Sequence, residues 1–356
     1  MHDAVVHCAS ALGLSSQQCS SVITSYAYTI LWIALSTVVI IYNKWILTIY
    51  GFDFPITLTM WHMGFCSVAS FVFVRLRLVE TVNMPTKLYL RTAVPIALLF
   101  SGTLWMGNAA YLTLSVSFIQ MIKALMPAAT YTCSVIYGIE KRTTENICIM
   151  LVITFGVALA SYGELNFVLV GVLYQLGAIF TESNRIVMLQ ILLQNNGIKF
   201  NPVQSMYYIS PLCLMFLSIP WVMLERDRLK ETQFYLTMDQ DTHGMFLGNA
   251  LAAFGLNVSV FMLIGQTSAL AMNIAGVVKD WLLIWISYSF FKAPITALNI
   301  IGYGIAFVAV CYFNLVKFKS MNEQTSKKED VKTDLEMQPA PPTGELKVQH
   351  AEANAE

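Results

Sequence analysis

The sequence predicts an all-α polytopic membrane protein in which ten transmembrane helices form two inverted five-helix repeats. Of its 356 residues, 56% are hydrophobic and 12% are charged, and the mean hydropathy is +0.62. A soluble domain carries about 25% charged residues. The charges cluster in short loops and near the C-terminus. Between them run apolar stretches of about twenty residues, the length that crosses a hydrocarbon core roughly 30 Å thick.

Ten segments have the length and composition of a membrane span. They are Thr24 to Asn43, Pro55 to Val74, Arg91 to Leu112, Ser115 to Tyr137, Asn146 to Tyr162, Phe167 to Leu193, Val203 to Leu224, Gly244 to Gly265, Ala269 to Phe290 and Ala297 to Phe318. Thr113 and Leu114 alone separate spans three and four, and spans eight and nine are joined as closely, at Gln266 to Ser268. A tight link therefore follows the third helix of each set of five.

The fourth helix of each set carries one deeply placed lysine. Lys123 lies in SFIQMIKALMP and Lys279 lies in NIAGVVKDWLL. Because five is an odd number, two such halves insert in opposite orientations. We therefore expect an N-terminal segment at 1–23, a first five-helix repeat at 24–162, a second at 163–319 and a tail at 320–356.

The ends of the chain are predicted to lie in the cytoplasm. More Lys and Arg residues fall in the loops on the side that both termini share than on the other side, and basic loops face the cytoplasm. The N-terminal segment is polar and small, so we expect no cleavable signal there. From residue 320 the chain is rich in Lys, Glu, Gln and Pro, which predicts a disordered cytoplasmic tail.

Several classes of function are disfavoured. The chain has 21 basic and 21 acidic residues, so no global field attracts nucleic acid. It contains no P-loop, GxSxG or HExxH motif, and we predict that it is not an enzyme. Its seven cysteines show no CxxC spacing, so neither a metal site, a cofactor nor a disulfide framework is predicted.

Lys123 and Lys279 are the strongest candidates for function. At about 1.5 Å per residue, both lie near the middle of their spans, too deep to reach an interface easily. An intramembrane charge is costly and marks a functional site by default. The functional interpretation is a pair of ammonium groups, one from each half, that bind an anion in a central cavity. The structural alternative is that each lysine pairs with an internal acid or caps loose carbonyls.

Other polar residues in the spans keep two interpretations each. Adjacent helical residues diverge by about 100°, so Lys279 and Asp280 are not expected to pair well. Asp280 would accept hydrogen bonds from sugar hydroxyls or from a helix neighbour. In the structural interpretation it would merely lower the local positive potential or pair with Lys123 when the site is empty. Glu182 and Arg185, three residues apart, fit an internal ion pair better than a gate or a ligand.

Tyr207 and Tyr208 open span seven. They would stack on a nucleobase or belong to an interfacial aromatic belt.

Four segments resemble the triose-phosphate and nucleotide-sugar translocator family, within the drug/metabolite transporter superfamily. They are Tyr42-Asn43-Lys44, Ser117-Phe118 with Lys123-Ala124-Leu125 and Pro127, Asn273 to Asp280, and Asn299-Ile300-Ile301-Gly302-Tyr303. The resemblance covers residues 24 to 318. The Lys279-Asp280 doublet is similar to that of a plant and algal Golgi subgroup named for its Lys-Asp pair, some of whose members carry UDP-arabinofuranose or related UDP-pentoses.

The resemblance also reveals departures. The plastid sugar-phosphate exchangers of this family bind phosphate with a lysine at the Lys123 position and a Lys-Arg doublet, whereas Asp280 replaces the arginine here. Further ligand positions of those exchangers are occupied in this chain by Leu104, Gly107 and Leu256. These differences weigh against triose phosphate or free phosphate as the substrate.

The resemblance therefore implies a Golgi nucleotide-sugar/nucleoside monophosphate antiporter that works by alternating access in the lipid bilayer. The alternatives are a sugar-phosphate/phosphate exchanger and a non-transporting membrane receptor or structural protein. A homodimer is left open. The predicted substrate-binding residues are Lys123, Lys279, Asp280, Tyr207, Tyr208, Asn257, Gly276 and Gln120.

Overall fold

The computed structural model describes residues 16–79, 85–196, 202–234, 239–266, 269–292 and 295–337, which contain helices and no strand. In chain order the helices are α1 (Ser16–Thr48), α2 (Pro55–Arg75), α3 (Thr86–Thr113), α4 (Val116–Lys123), α5 (Met126–Ile136), α6 (Thr144–Tyr162), α7 (Leu169–Asn196), α8 (Pro202–Leu224), α9 (Arg226–Glu231), α10 (Gln240–Gln266), α11 (Ala269–Phe291) and α12 (Ala297–Met337). Each of the ten predicted spans falls on helix.

Six helical stretches within the described residues are long and apolar enough to cross a membrane. They are Thr24–Thr48, Pro55–Arg75, Tyr89–Thr113, Thr144–Tyr162, Val203–Leu224 and Ala297–Lys317. These stretches confirm a polytopic membrane protein, whose described residues form helices. The arrangement of ten spans as two inverted repeats stays a prediction.

The predicted fourth span is two helices rather than one. The first, α4, begins after Ser115, whose hydroxyl accepts a hydrogen bond from the Phe118 amide at 3.1 Å. The second, α5, carries Pro127 at its start. Proline has no amide hydrogen to donate to the carbonyl four residues earlier, which here belongs to Lys123, and its ring crowds that carbonyl. The break therefore makes Lys123 the last residue of α4.

The tight turn between α3 and α4 is held by Lys44 of α1. Its ammonium donates to the carbonyl oxygens of Tyr111 at 2.6 Å and Leu114 at 3.0 Å. The last carbonyls of a helix lack intrahelical donors, and a cation there also interacts favourably with the helix dipole. Lys44, one of the residues that carry the family resemblance, thus has a capping role.

Helices α6 and α12 approach each other through glycine. A Cβ atom added to Gly156 would lie 2.6 Å from the backbone nitrogen of Ala306, and one added to Gly302 would clash with the backbone nitrogen of Ala160. Close approach of this kind uses small residues in membrane helices generally. The Asn299 amide group reinforces the crossing by donating to the Ala160 carbonyl at 2.7 Å.

The start of α2 is held by the carboxylate of Glu225, which follows α8 directly. Glu225 is buried and accepts hydrogen bonds at 2.7 Å from the Ile56 amide, the Thr57 amide and the Thr57 hydroxyl. Trp221 donates to the same hydroxyl at 3.0 Å. The first amides of a helix lack intrahelical acceptors, so one acid satisfies both available donors. We call this arrangement the Glu225 cap.

The described residues divide into two compact units, one up to Val310 and one from Cys311 onward. In the second unit the helix continues to Met337, into the segment predicted to be a disordered tail. Lys, Glu and Gln are strong helix formers, which explains a helix in this polar sequence. The rest of the predicted tail, 338–356, lies outside the described residues, as do residues 1–15 of the predicted N-terminal segment.

Candidate functional site

The two intramembrane lysines belong to one cluster of charges. Lys123 comes from the end of α4, and Lys279 and Asp280 come from the middle of α11. The charge of Lys123 acts on both Lys279 and Asp280, so the three groups lie within electrostatic range of one another. We call these three residues the central cluster. The structure thus brings together the lysines that the sequence placed on separate spans.

Lys279 and Asp280 form an ion pair, which corrects the expectation that these neighbours would not pair well. The Lys279 nitrogen lies 3.5 Å from a carboxylate oxygen of Asp280, and the two side chains are 17% and 29% exposed. The divergence of neighbouring Cβ atoms on a helix is real, but the lysine stem has four rotatable bonds and can bend back to the acid. Tyr111 of α3 also lies within electrostatic range of Asp280.

Lys123 has no comparable partner. Within the part of the chain that the structure describes, its ammonium makes no hydrogen bond or ion pair, and it interacts with Asp280 and Glu182 only over a longer range. Glu182 is already engaged, because it binds Arg185 through two hydrogen bonds of 2.7 and 2.5 Å. The predicted ion pair of α7 is therefore confirmed. The central cluster keeps a formal charge of plus one, from two lysines and one aspartate.

Gln120 lies one helical turn before Lys123. It is 1% exposed, and neither its amide nitrogen nor its amide oxygen has a partner among the described residues. The amide oxygen of Gln175, on α7, is buried and unpaired in the same way. Such groups are rare in folded proteins because each costs about 1 to 3 kcal/mol. An unpaired amide beside Lys123 can donate to a phosphate or accept from a hydroxyl.

Trp32 of α1 was not recognised from the sequence. Its ring centroid lies 5.3 Å from the Lys279 nitrogen, and a Cβ atom added to Gly276 would meet the ring edge at 4.0 Å. A tryptophan in an apolar span looks like any other lipid-facing or packing residue until its neighbours are known. The structure thus places Gly276 against Trp32.

Tyr207 and Tyr208 lie in a separate cavity of about 410 Å³ between α2, α3 and α8. Their rings meet edge to face with centroids 5.2 Å apart, and Tyr89 packs on Tyr208 in the same way at 5.9 Å. The residues that line this cavity are Ser67, Phe71, Thr86, Tyr89, Tyr207, Tyr208 and Pro211. Neither central lysine is among them, so the two predicted parts of the site are distinct in this structure.

Asn257 bonds within its own helix. Its amide nitrogen donates to the Ala253 carbonyl of α10 at 2.8 Å, a bond that leaves the side-chain oxygen available. Among the described residues no three His, Cys, Asp or Glu side chains are grouped so that they could hold a metal ion.

Comparison with known proteins is consistent with this arrangement. Residues 23–314 match the model of the Triose-phosphate Transporter family. A probable sugar phosphate/phosphate translocator of Arabidopsis thaliana is 47% identical over 322 residues, which cover 89% of this chain and 90% of that protein. A second Arabidopsis protein with the same description is 47% identical over 326 residues, covering 91% and 92%. A GDP-mannose transporter of Arabidopsis is 26% identical over 294 residues, covering 82% and 86%.

Proteins of this family are transporters, which confirms that the chain is not an enzyme. The resemblance read from its lysine, asparagine and glycine motifs is confirmed as well. The chain belongs to the Triose-phosphate Transporter family.

Proposed function

We propose that this protein exchanges one phosphate-bearing anion for another across a membrane, and that the anion binds between Lys123 and Lys279. The observation that carries the proposal is the excess positive charge of the central cluster. Two lysines from separate helices share one aspartate, and Lys123 has neither a hydrogen bond nor an ion pair among the described residues. Such an arrangement costs folding energy unless an anion completes it.

Obligatory exchange, in which the carrier returns only with its site filled, follows from the same excess of positive charge in the central cluster. An empty site leaves an ammonium group poorly compensated in a low-dielectric interior, whereas a bound phosphate neutralises it. A phosphate monoester carries about 1.5 to 2 negative charges at pH 7. The conformations of an alternating-access carrier interconvert more readily with the site filled, so the carrier returns loaded and transport becomes obligatory exchange.

Sugar phosphate/phosphate exchange is the first candidate for the substrates. The two Arabidopsis relatives with 47% identity are described as probable translocators of this kind. The formal charge of the central cluster does not separate this candidate from the next, because a phosphate monoester and the diphosphate of a nucleotide sugar each carry about two negative charges. Gln120 would then donate to the phosphate or accept from a sugar hydroxyl.

Nucleotide-sugar/nucleoside monophosphate antiport is the second candidate, and specific residues favour it. Asp280, Leu104, Gly107 and Leu256 depart from the pattern of plastid sugar-phosphate exchangers. A relative with 26% identity is described as a GDP-mannose transporter. A UDP-sugar, including a UDP-pentose such as UDP-arabinofuranose, carries about two negative charges on its diphosphate. This candidate includes a Golgi location with both termini in the cytoplasm.

For the second candidate, the cavity that Tyr207 and Tyr208 line would receive the nucleobase. Tyrosine rings can stack on any of the nucleobases, because each base presents a π-face. Since neither central lysine lines that cavity, base and phosphate would have to engage through a rearrangement, or the tyrosines would serve another role.

Reconstituted vesicles test the proposal and separate the candidates. Vesicles preloaded with inorganic phosphate or UMP are offered labelled glucose 6-phosphate, triose phosphate or UDP-sugars. We expect preloaded vesicles to take up one class much faster than empty vesicles do, and the preferred pair identifies the substrates. Equal uptake by preloaded and empty vesicles would refute exchange. Lys279→Ala should abolish the activity, whereas Lys141→Ala, at an exposed loop lysine, should retain it.

A further inference from the structure

The indole of Trp32 lies across two positions of α11 that are one helical turn apart. The first is Gly276, where an added Cβ would reach ordinary contact with the ring at 4.0 Å. The second is Lys279, whose nitrogen is 5.3 Å from the ring centroid. Residues three apart share a helix face. An alanine would fit at Gly276 without moving the ring, and the indole lies against the face of α11 that carries Lys279.

The Lys279 ammonium consequently has two neighbours of different kinds. The nearest carboxylate oxygen of Asp280 lies 3.5 Å away, and the centroid of the indole ring lies 5.3 Å away. An aromatic ring attracts a cation through its quadrupole, most strongly in tryptophan. Unlike the carboxylate, the ring accepts no conventional hydrogen bond, so it leaves the ammonium hydrogens available for an incoming anion.

We propose that Trp32 is a positioning residue, which holds the Lys279 ammonium where it meets the phosphate group of the transported anion. The inference rests on the proposed exchange function and adds a residue to it. A phosphate oxygen displaces Asp280 from the ammonium, while the indole stays in contact and keeps the lysine stem from swinging away. This contact lowers the entropic cost of binding the anion, because a lysine side chain that is not held in place loses many rotamers when it binds.

This role predicts an effect on the phosphate group and not on the sugar. Trp32→Leu should raise the half-saturation concentration about tenfold, which lies within the roughly two- to thirtyfold range that cation–π energies correspond to. The factor should be the same for inorganic phosphate as for a phosphate ester, because both present the same group to Lys279. Trp32→Phe should raise the half-saturation concentration less than Trp32→Leu does, because phenylalanine keeps an aromatic quadrupole, although a weaker one than that of tryptophan. Maximal exchange rates should change by less than about twofold.

The experiment measures exchange of inorganic phosphate and of UMP in vesicles that contain the full chain, over a range of external concentrations. Wild type, Trp32→Leu, Trp32→Phe and Trp285→Leu are compared. Trp285 is a matched control, because it lies on α11 and is 61% exposed. Melting temperatures without ligand, together with the stabilisation that added phosphate or UMP gives, show whether each variant folds and how well it binds. In a Lys279→Gln background, Trp32→Leu should cause no further loss of this stabilisation.

The inference holds if the half-saturation concentration rises in the order Trp, Phe, Leu at position 32 and Trp285→Leu stays at the wild-type value. It is overturned if Trp32→Leu binds phosphate as wild type does, if Trp285→Leu loses as much, or if the loss persists in full without Lys279. Loss confined to UMP would assign Trp32 to the nucleoside instead and would also overturn it. A wild-type protein that exchanges no phosphate compound would refute the proposed function itself, a result distinct from all of these.

Discussion

The Glu225 cap holds a buried charge and the central cluster holds partly buried ones, and their hydrogen-bond and ion-pair partners satisfy these charges to very different degrees. Glu225 accepts three hydrogen bonds of 2.7 Å and serves the two amides that open α2. At the centre, Lys123 has no hydrogen bond or ion pair among the described residues, and the nearby Gln120 amide has no partner there either. A buried polar group whose hydrogen bonds are all made stabilises the fold. One that lacks partners can still form hydrogen bonds or ion pairs with a ligand.

The largest effect that this contrast predicts is the loss of exchange on removing either central lysine. Lys123→Ala and Lys279→Ala should each lower the rate of exchange at low substrate at least about 100-fold, because a charge that pairs with a buried phosphate is worth several kcal/mol. Vesicle exchange measures the rate. The melting temperature without ligand should stay close to that of wild type or rise for Lys123→Ala, which removes a poorly compensated charge. It should fall for Lys279→Ala, which leaves Asp280 without its ion-pair partner. A fall in stability without loss of exchange would make the lysines structural and would reverse the comparison.

Glu225→Ala should lower the stability of the fold and leave exchange intact, which is the opposite of the effect expected for Lys123→Ala. It leaves the Ile56 and Thr57 amides without acceptors, which is expected to cost about 2 to 4 kcal/mol of stability. The melting temperature in detergent should fall clearly, while the half-saturation concentration of the folded fraction should remain within about twofold of wild type. If exchange by folded protein were lost as well, the cap would be part of the transport cycle and not only of the fold.

Substitution of Asp280 tests whether the charge of the central cluster sets the preference between substrates. Asp280→Arg replaces the acid with the residue found in the resembling sugar-phosphate exchangers and changes the formal charge of the cluster from plus one to plus three. Affinity for inorganic phosphate should rise about tenfold relative to that for UDP-sugars, because the added guanidinium binds a phosphate with two parallel hydrogen bonds. Competition for labelled exchange measures the ratio. Asp280→Asn, which only removes a negative charge, should shift this affinity ratio less. If neither variant changed the ratio, Asp280 would have no role in substrate selectivity.

Much of the fold could be predicted because the constraints are local. A twenty-residue apolar run between charged loops has few alternatives to a membrane helix, since every backbone group must be satisfied within the segment. The break after Lys123 was equally accessible, because Pro127 cannot donate to the carbonyl of Lys123. Hydropathy alone nevertheless predicts one uninterrupted span, because the apolar character of the sequence continues through the break.

The site was predictable only where charge revealed it. Lys123 and Lys279 stand out because a charge in a span is costly, and both do lie in one cluster. Trp32 carries no such signal, since its importance depends on which helix packs against α1. The separation of Tyr207 from the lysines depends on helix packing in the same way. The Lys279–Asp280 pair was missed because an argument from Cβ directions neglects the reach of a long side chain.

The smallest expected effect is the response of the Glu225 cap to pH. Burial raises the pKa of the Glu225 carboxyl above its ordinary value of 4.5, against the opposing effects of its hydrogen bonds and of the nearby Arg228 charge. A group that holds its proton more tightly when folded contributes stability that is fully present below its unfolded pKa and is lost as pH rises through its folded pKa.

Acidification from pH 7 towards 4.5 should therefore stabilise wild type relative to Glu225→Gln, whose amide does not titrate. The difference in melting temperature between the two proteins should therefore move in favour of wild type as the pH falls. Paired melting curves at pH 7 and pH 5 measure it. A shift in favour of Glu225→Gln at the lower pH would mean that the three hydrogen bonds outweigh burial. The cap would then hold α2 most firmly when the carboxyl is ionised.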